Sequence, residues 1–161
     1  MTIRLFRESD REEVCRITLD VFGPVAVDAA IEANFGLLNG VSWQDRKRKD
    51  LLAEVDGLPQ GCFVAEEGGK VIGYVTTTVD TNTSVGRIGH LGVDAEHQGR
   101  HVGKALLSHA LDYLEAQGLE YTQLETTVVN DRAMRFYVGV GYQEMARKLY
   151  YFMRLADRKD R

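Results

Sequence analysis

The stretch with the clearest chemical potential runs Ile88-Gly89-His90-Leu91-Gly92-Val93-Asp94-Ala95-Glu96-His97-Gln98-Gly99-Arg100-His101-Val102-Gly103-Lys104-Ala105-Leu106-Leu107. An apolar run leads through a Gly-containing loop into a helical pattern. A strand that feeds a helix in this way aims backbone N–H groups, and the positive end of the helix, at one point. That makes an anion site, and phosphate is its usual guest. Two phosphate readers do not fit. A Walker A loop needs Gly where Gln98 stands and a hydroxyl where Ala105 stands. The three-glycine dinucleotide pattern fails at His101, and the loop follows what reads as an antiparallel meander. His97 and His101 lie four apart without a carboxylate motif, so no metal is expected.

With 161 residues, 44% hydrophobic and 27% charged, the chain reads as one globular domain spanning 1–161. A net charge of −4 speaks against nucleic acid as a partner. The basic run Arg46-Lys47-Arg48-Lys49 fits a solvated helix face. Cys15 and Cys62 sit among apolar neighbours and read as buried free thiols. The charged N-terminus lacks a signal-type apolar core, and no apolar stretch is of membrane-spanning length. A cytoplasmic location and no membrane partner are therefore expected.

The elements that must position the loop follow from periodicity. A short strand around Ile3 and Leu5 precedes a helix capped at Ser9 or Asp10. Val27, Ala30, Ile31 and Phe35 give a second helix, and Ser42 with Asp45 starts a third through Leu51, Leu52 and Val55. Trp43 reads as a packing anchor. Strands at 62–66, 70–79 and 85–93 are joined by Glu67-Gly68-Gly69 and by a turn at 80–83. The helix after the loop ends near Gly118. A β-rich run covers 121–129, a short helix runs from Asn130 or Asp131 through Tyr137, and strands at 142–147 and 150–155 close the chain.

Gln98-Gly99-Arg100-His101-Val102-Gly103 resembles the pyrophosphate loop of the GNAT superfamily of acetyl-CoA-dependent N-acetyltransferases. That signature is Gln or Arg, two residues, Gly, any residue, then Gly or Ala; His101 replaces its first glycine. Asn130, Ala133, Phe136-Tyr137 and Gly141-Tyr142 resemble the family's second segment. The resemblance implies an α/β (α+β) fold with a mixed, mostly antiparallel sheet of about seven strands. The sheet is splayed between strands four and five and flanked by about four helices. It also implies a division of labour: acceptor-shaping helices in 1–60, the CoA loop and helix in 85–118, and a C-terminal half in 121–155.

By the same resemblance, acetyl-CoA is the cosubstrate. Gln98, Gly99, Arg100, His101, Val102, Gly103 and Lys104 would hold its pyrophosphate. Leu91 and Val93 would offer backbone to the pantetheine arm, with Gly92 marking a bulge or close approach. Asn130, Ala133 and Phe136 would line the arm, and Tyr137 would protonate the leaving sulfur. The base stays open. Arg87 stands where the family places a carboxylate, His90 has the wrong strand parity unless a bulge redirects it, and Glu125 is a further candidate. The implied reaction is direct transfer of acetyl to a primary amine. The short link Lys148-Leu149 leaves little lid and favours a small-molecule acceptor. A protein N-terminus or lysine is the alternative acceptor. A non-catalytic acyl-CoA-binding module is the alternative of another class, and a homodimer is compatible with either.

Overall fold

The computed structural model describes residues 1–159. The elements run β1 (Thr2–Leu5), α1 (Arg11–Phe22), α2 (Val27–Phe35), α3 (Trp43–Gly57), β2 (Cys62–Glu67), β3 (Lys70–Asp80), β4 (Val85–Val93), α4 (Val102–Ala116), β5 (Tyr121–Gln123) and α5 (Asp131–Val140). One sheet has the order β1-β2-β3-β4-β5. Neighbours are antiparallel up to β4: tight turns join β2 to β3 and β3 to β4, while α1, α2 and α3 lie between β1 and β2. β5 lies parallel to β4, because α4 carries the chain back across the sheet.

Each face of the sheet buries its own cluster. On one face, Val102, Leu106, Leu107, Ala110 and Leu114 of α4 pack on Phe63, Ala65, Ile72, Val75 and Ile88. On the other, Val14 and Ile17 of α1 and Leu51 and Val55 of α3 cover Val64, Val71 and Tyr74. Each such aliphatic side chain contributes about 1.5–3 kcal/mol when fully buried. Cys15 and Cys62 are buried free thiols in the second cluster. Trp43 lies against Gly23, where an added Cβ would stand 3.2 Å from its ring, so it serves as a packing anchor. No helix among the described residues is long and apolar enough to cross a membrane.

The sheet differs from the expected one at its C-terminal side. Among the described residues it has five strands, not about seven, while five α-helices form where about four were expected. The two helices expected within 27–57 both form. The β-rich run at 121–129 contributes only Tyr121–Gln123 to the ladder. Segments 142–147 and 150–155 form no strands. A three-residue edge offers too few backbone groups to template another strand. Lys148-Leu149 also lacks the positive-φ residues of a two-residue hairpin, so its argument for a small acceptor lapses. Side chains hold this segment instead: the hydroxyls of Tyr142 and Thr122 hydrogen-bond at 3.1 Å, and Phe152 meets Phe35 edge-on at 5.1 Å.

Two local features of β4 set up the site. Between the pairs Val75↔Leu91 and Thr77↔Ile88, Thr76 alone opposes Gly89 and His90. The bulge expected at Gly92 therefore lies at Gly89-His90. Gly92 marks the close approach, since a Cβ there would stand 2.7 Å from the fully buried Tyr74 ring. The Tyr74 hydroxyl donates to Thr18 Oγ1 at 2.6 Å, while Thr18 donates to the Val14 carbonyl at 2.6 Å.

At the N-terminus, Asp10 does not cap α1 with its side chain. Arg4 draws it away with a bidentate pair at 2.7 and 2.9 Å, and the Arg7 N–H donates to it at 2.8 Å. Burial opposes the Asp10 charge, but these donors hold its carboxyl below the usual range. Its stabilisation is present above the unfolded value of ~3.9 and lost as pH falls through the depressed folded value. Asp10→Asn should flatten the acid side of the stability–pH curve measured by urea unfolding. Gly92→Ala should cost about 1–3 kcal/mol in the same assay, because the Tyr74 ring has no room to retreat.

Candidate active site

The loop between β4 and α4 leaves a run of backbone N–H groups free, an arrangement that suits an anion. The N–H groups of residues 99 to 104 donate no hydrogen bond among the described residues; the first engaged donor is Ala105, to the His101 carbonyl at 3.0 Å. Gly99 and His101 both have positive φ, 81° and 62°, which curls the backbone so that its N–H groups converge. No side chain crowds the inner positions, since a Cβ on Gly99 would meet nothing within 4 Å and one on Gly103 only Val93 at 3.5 Å. His101 accepts the left-handed conformation that its glycine counterpart would adopt freely. Its side chain is exposed and Val102 is buried, while Lys104 is exposed at the helix start.

Two loop side chains are committed elsewhere. Gln98 donates to the Val93 carbonyl at 3.0 Å and accepts from Arg132, which ties the loop to β4 and α5. Arg100 pairs with Glu67 at 2.9 Å. Their contribution to an anion is orientation and field rather than a free charged tip.

The edge of β4 facing β5 is open along its second half. Pairing with β5 ends at Arg87↔Gln123, whereas β4 continues to Val93. The splay expected between strands four and five is therefore present. The His90 N–H is held by Thr76 Oγ1 at 2.7 Å and the Asp94 N–H by the Ile72 carbonyl at 3.0 Å, both towards β3. By strand alternation, Leu91 and Val93 turn their backbone groups to the vacated side. An extended amide-bearing chain could pair there as an added strand.

α5 faces this gap. Asn130 is its N-cap, accepting from the Ala133 N–H at 3.2 Å, so its position is set by helix capping. Phe136 and Tyr137 pack against the α4-side cluster, with their rings 5.2 Å apart. Burial, then the neighbouring Tyr142, pushes the Tyr137 phenol up to about 12. It stays protonated at neutral pH. Among the described residues no group hydrogen-bonds its hydroxyl, and no buried side-chain oxygen lacks a partner. The hydroxyl therefore reaches accessible space.

On the opposite face of β4 sits a cluster that the sequence reading missed in part. The bulge reverses the parity of His90 and places its ring against α3, where Nδ1 lies 2.7 Å from Glu54. Thr76 donates to the same Glu54 oxygen at 2.7 Å. Phe22 of α1 meets the imidazole edge-on at 5.5 Å. Burial works against the Glu54 charge, but His90, Thr76 and the field of Arg87 hold its carboxyl below the usual range. Glu54 follows Leu51 by three positions and precedes Val55, and a carboxylate on that apolar stripe was the available clue. Glu125, by contrast, is exposed and paired with Lys148 at 2.5 Å.

His101→Val should cost about 1–2 kcal/mol in urea unfolding, because a β-branched side chain opposes the left-handed backbone. His101→Gly should not destabilise the chain by a comparable amount.

Comparison with known proteins accounts for this arrangement. Residues 27–142 match the acetyltransferase (GNAT) family. A mycothiol acetyltransferase of Streptomyces avermitilis is 35% identical over 130 residues, 79% of this chain and 41% of that protein. The chain thus spans less than half the length of that relative. The solved structure of Ard1 from Thermoplasma volcanium superposes with a TM-score of 0.67 at 26% identity, covering 90% of this chain and 84% of the other. The PaiA N-acetyltransferase of Thermoplasma acidophilum, solved in complex with coenzyme A, gives a TM-score of 0.69 at 20% identity over 88% and 89% of the two chains. The unbonded loop amides, the open β4 edge and the tyrosine on α5 thus belong to a chain that is a member of the GNAT acetyltransferase family.

Proposed function

We propose that the chain transfers the acetyl group of acetyl-CoA to a primary amine by direct attack, with a small molecule as acceptor. The observation that carries this reading is the run of unbonded N–H groups at 99–104, placed beside the open edge of β4. Those amides, with Gln98, Arg100 and Lys104 around them and the start of α4 beneath, suit a pyrophosphate. The backbone of Leu91 and Val93 suits the amides of pantetheine, with Asn130, Ala133 and Phe136 along the arm. Acetyl-CoA supplies an activated thioester when bound. Tyr137, protonated and accessible, gives its proton to the departing sulfur.

The likeness to a mycothiol acetyltransferase supports a small-molecule acceptor. Residues 1–60 shape the acceptor side, where Phe22 of α1 stands against the His90 ring. Thiol release from acetyl-CoA, measured against spermidine, phenethylamine, glucosamine, free amino acids and short peptides, tests the activity and ranks acceptors. Faster release with peptides than with any small amine would overturn the small-molecule assignment. Tyr137→Phe should lower turnover by about 10²-fold or more while calorimetry finds CoA affinity unchanged. Equal turnover would overturn the acid role, and no heat of binding at millimolar CoA would overturn the cofactor site.

A further inference from the structure

We propose that Glu54 and His90 act as a pair that takes the proton from the incoming ammonium, His90 Nε2 being the accepting atom and Glu54 a positioning residue. This rests on the acetyl-transfer reading above. The pair spans two elements, α3 and β4, and is closed by a third group. Thr76 Oγ1 accepts the His90 backbone N–H at 2.7 Å and donates to Glu54 Oε2, which in turn lies 2.7 Å from His90 Nδ1. With Glu54 ionised, Nδ1 must carry its hydrogen to make that bond, so Nε2 is left as a lone-pair acceptor. Among the described residues Nε2 has no partner, and no buried side-chain nitrogen lacks one. It therefore reaches accessible space, although the residue as a whole is only 6% exposed.

The backbone is shaped for this contact. The bulge sends His90 to the α3 side, one residue before Leu91 at the open edge. A Cβ on Gly89 would stand 2.3 Å from Glu54 Oε2 and 2.8 Å from Thr76 Oγ1, so only glycine leaves room for the closed triangle. The surrounding charges are few. On α3, Lys47 lies over Phe22 at 5.0 Å, and burial pulls its ammonium below the usual lysine range, with Glu54, Asp28 and Asp50 opposing. On β4, Arg87 contributes a positive field. From β2 and β3, the Cys62 thiol and Tyr74 phenol are held protonated by burial. α1 presents the uncharged Phe22.

The proton balance is simple. The substrate ammonium gives one proton to Nε2, and Glu54 offsets the imidazolium charge. The freed nitrogen lone pair forms the N–C bond as the C–S bond breaks. Tyr137 protonates the thiolate and recovers a proton from the new amide nitrogen. His90 then releases its proton to solvent, so one proton leaves per amide formed.

Nitrogen-15 NMR of the histidine-labelled chain, paired with the pH profile of thiol release for the most active amine of the screen above, tests the pair. The wild type should show His90 as the Nδ1–H tautomer, and Glu54→Gln should lose that preference. Glu54→Gln should also move the acid limb of kcat/KM to lower pH, because the imidazolium loses its anionic partner. His90→Gln should lower kcat/KM by about 10²-fold or more and remove that limb, with CoA affinity retained. Gly89→Ala displaces Glu54 without altering any ionisable group, so it should reproduce the Glu54→Gln tautomer and profile and keeps the test decisive if Glu54→Gln does not fold. An Nε2–H tautomer in the wild type, or an unchanged profile in His90→Gln, would overturn the pair. A wild type that binds CoA yet releases no thiol to any amine would overturn the transfer reading instead.

Discussion

The structure depends on one divergence. β5 pairs with β4 for only three positions, and β4 then runs on to Val93 paired with β3 alone, its other edge open. Unpaired strand backbone is normally a liability, because N–H and C=O groups left without partners favour association with another strand. Here the exposed segment lies directly before the loop whose own amides at 99–104 are also free. Two adjacent sets of backbone groups, one extended and one convergent, form the surface proposed to take CoA, and such a surface needs no charged side chain at its centre.

The sheet keeps its two faces chemically separate. The α4 face holds the aliphatic cluster on which Phe136 and Tyr137 rest, so the phenol is desolvated and protonated. The α1–α3 face holds Glu54 and His90, where hydrogen bonds sustain a charge that burial opposes. A single bulge connects them. Without the extra residue at Gly89-His90, strict alternation along β4 would turn the imidazole toward α4 and away from Glu54. Glycine serves the two neighbouring positions for different reasons: Gly89 leaves space for a carboxylate, and Gly92 leaves space for the Tyr74 ring.

Much of this was legible in the residues themselves. The loop motif, the hairpin at Gly68-Gly69 with φ of 58° and 79°, the Ser42–Asp45 cap and the helices of the first third all follow from local chemistry. The C-terminal strands expected at 142–147 and 150–155 did not form. Residue types report that a segment suits a sheet; whether a sheet edge is there to receive it is a tertiary matter. Gln98 and Arg100 likewise carry the side chains a phosphate site would want, yet the fold spends them on Val93, Arg132 and Glu67.

The sequence by itself determined the family, the Gly-containing loop before α4 and the tyrosine on α5, because each rests on residues within a few positions of one another, where short-range geometry is nearly obligatory. Tertiary structure alone decided the facing of His90 and its union with Glu54, which lie 36 positions apart. Side-chain parity along β4 is fixed by register against β3, and a one-residue bulge resets it. No local pattern encodes that reset, because it arises from how Thr76, Glu54 and the Tyr74 ring compete for the space that Gly89 and Gly92 leave open.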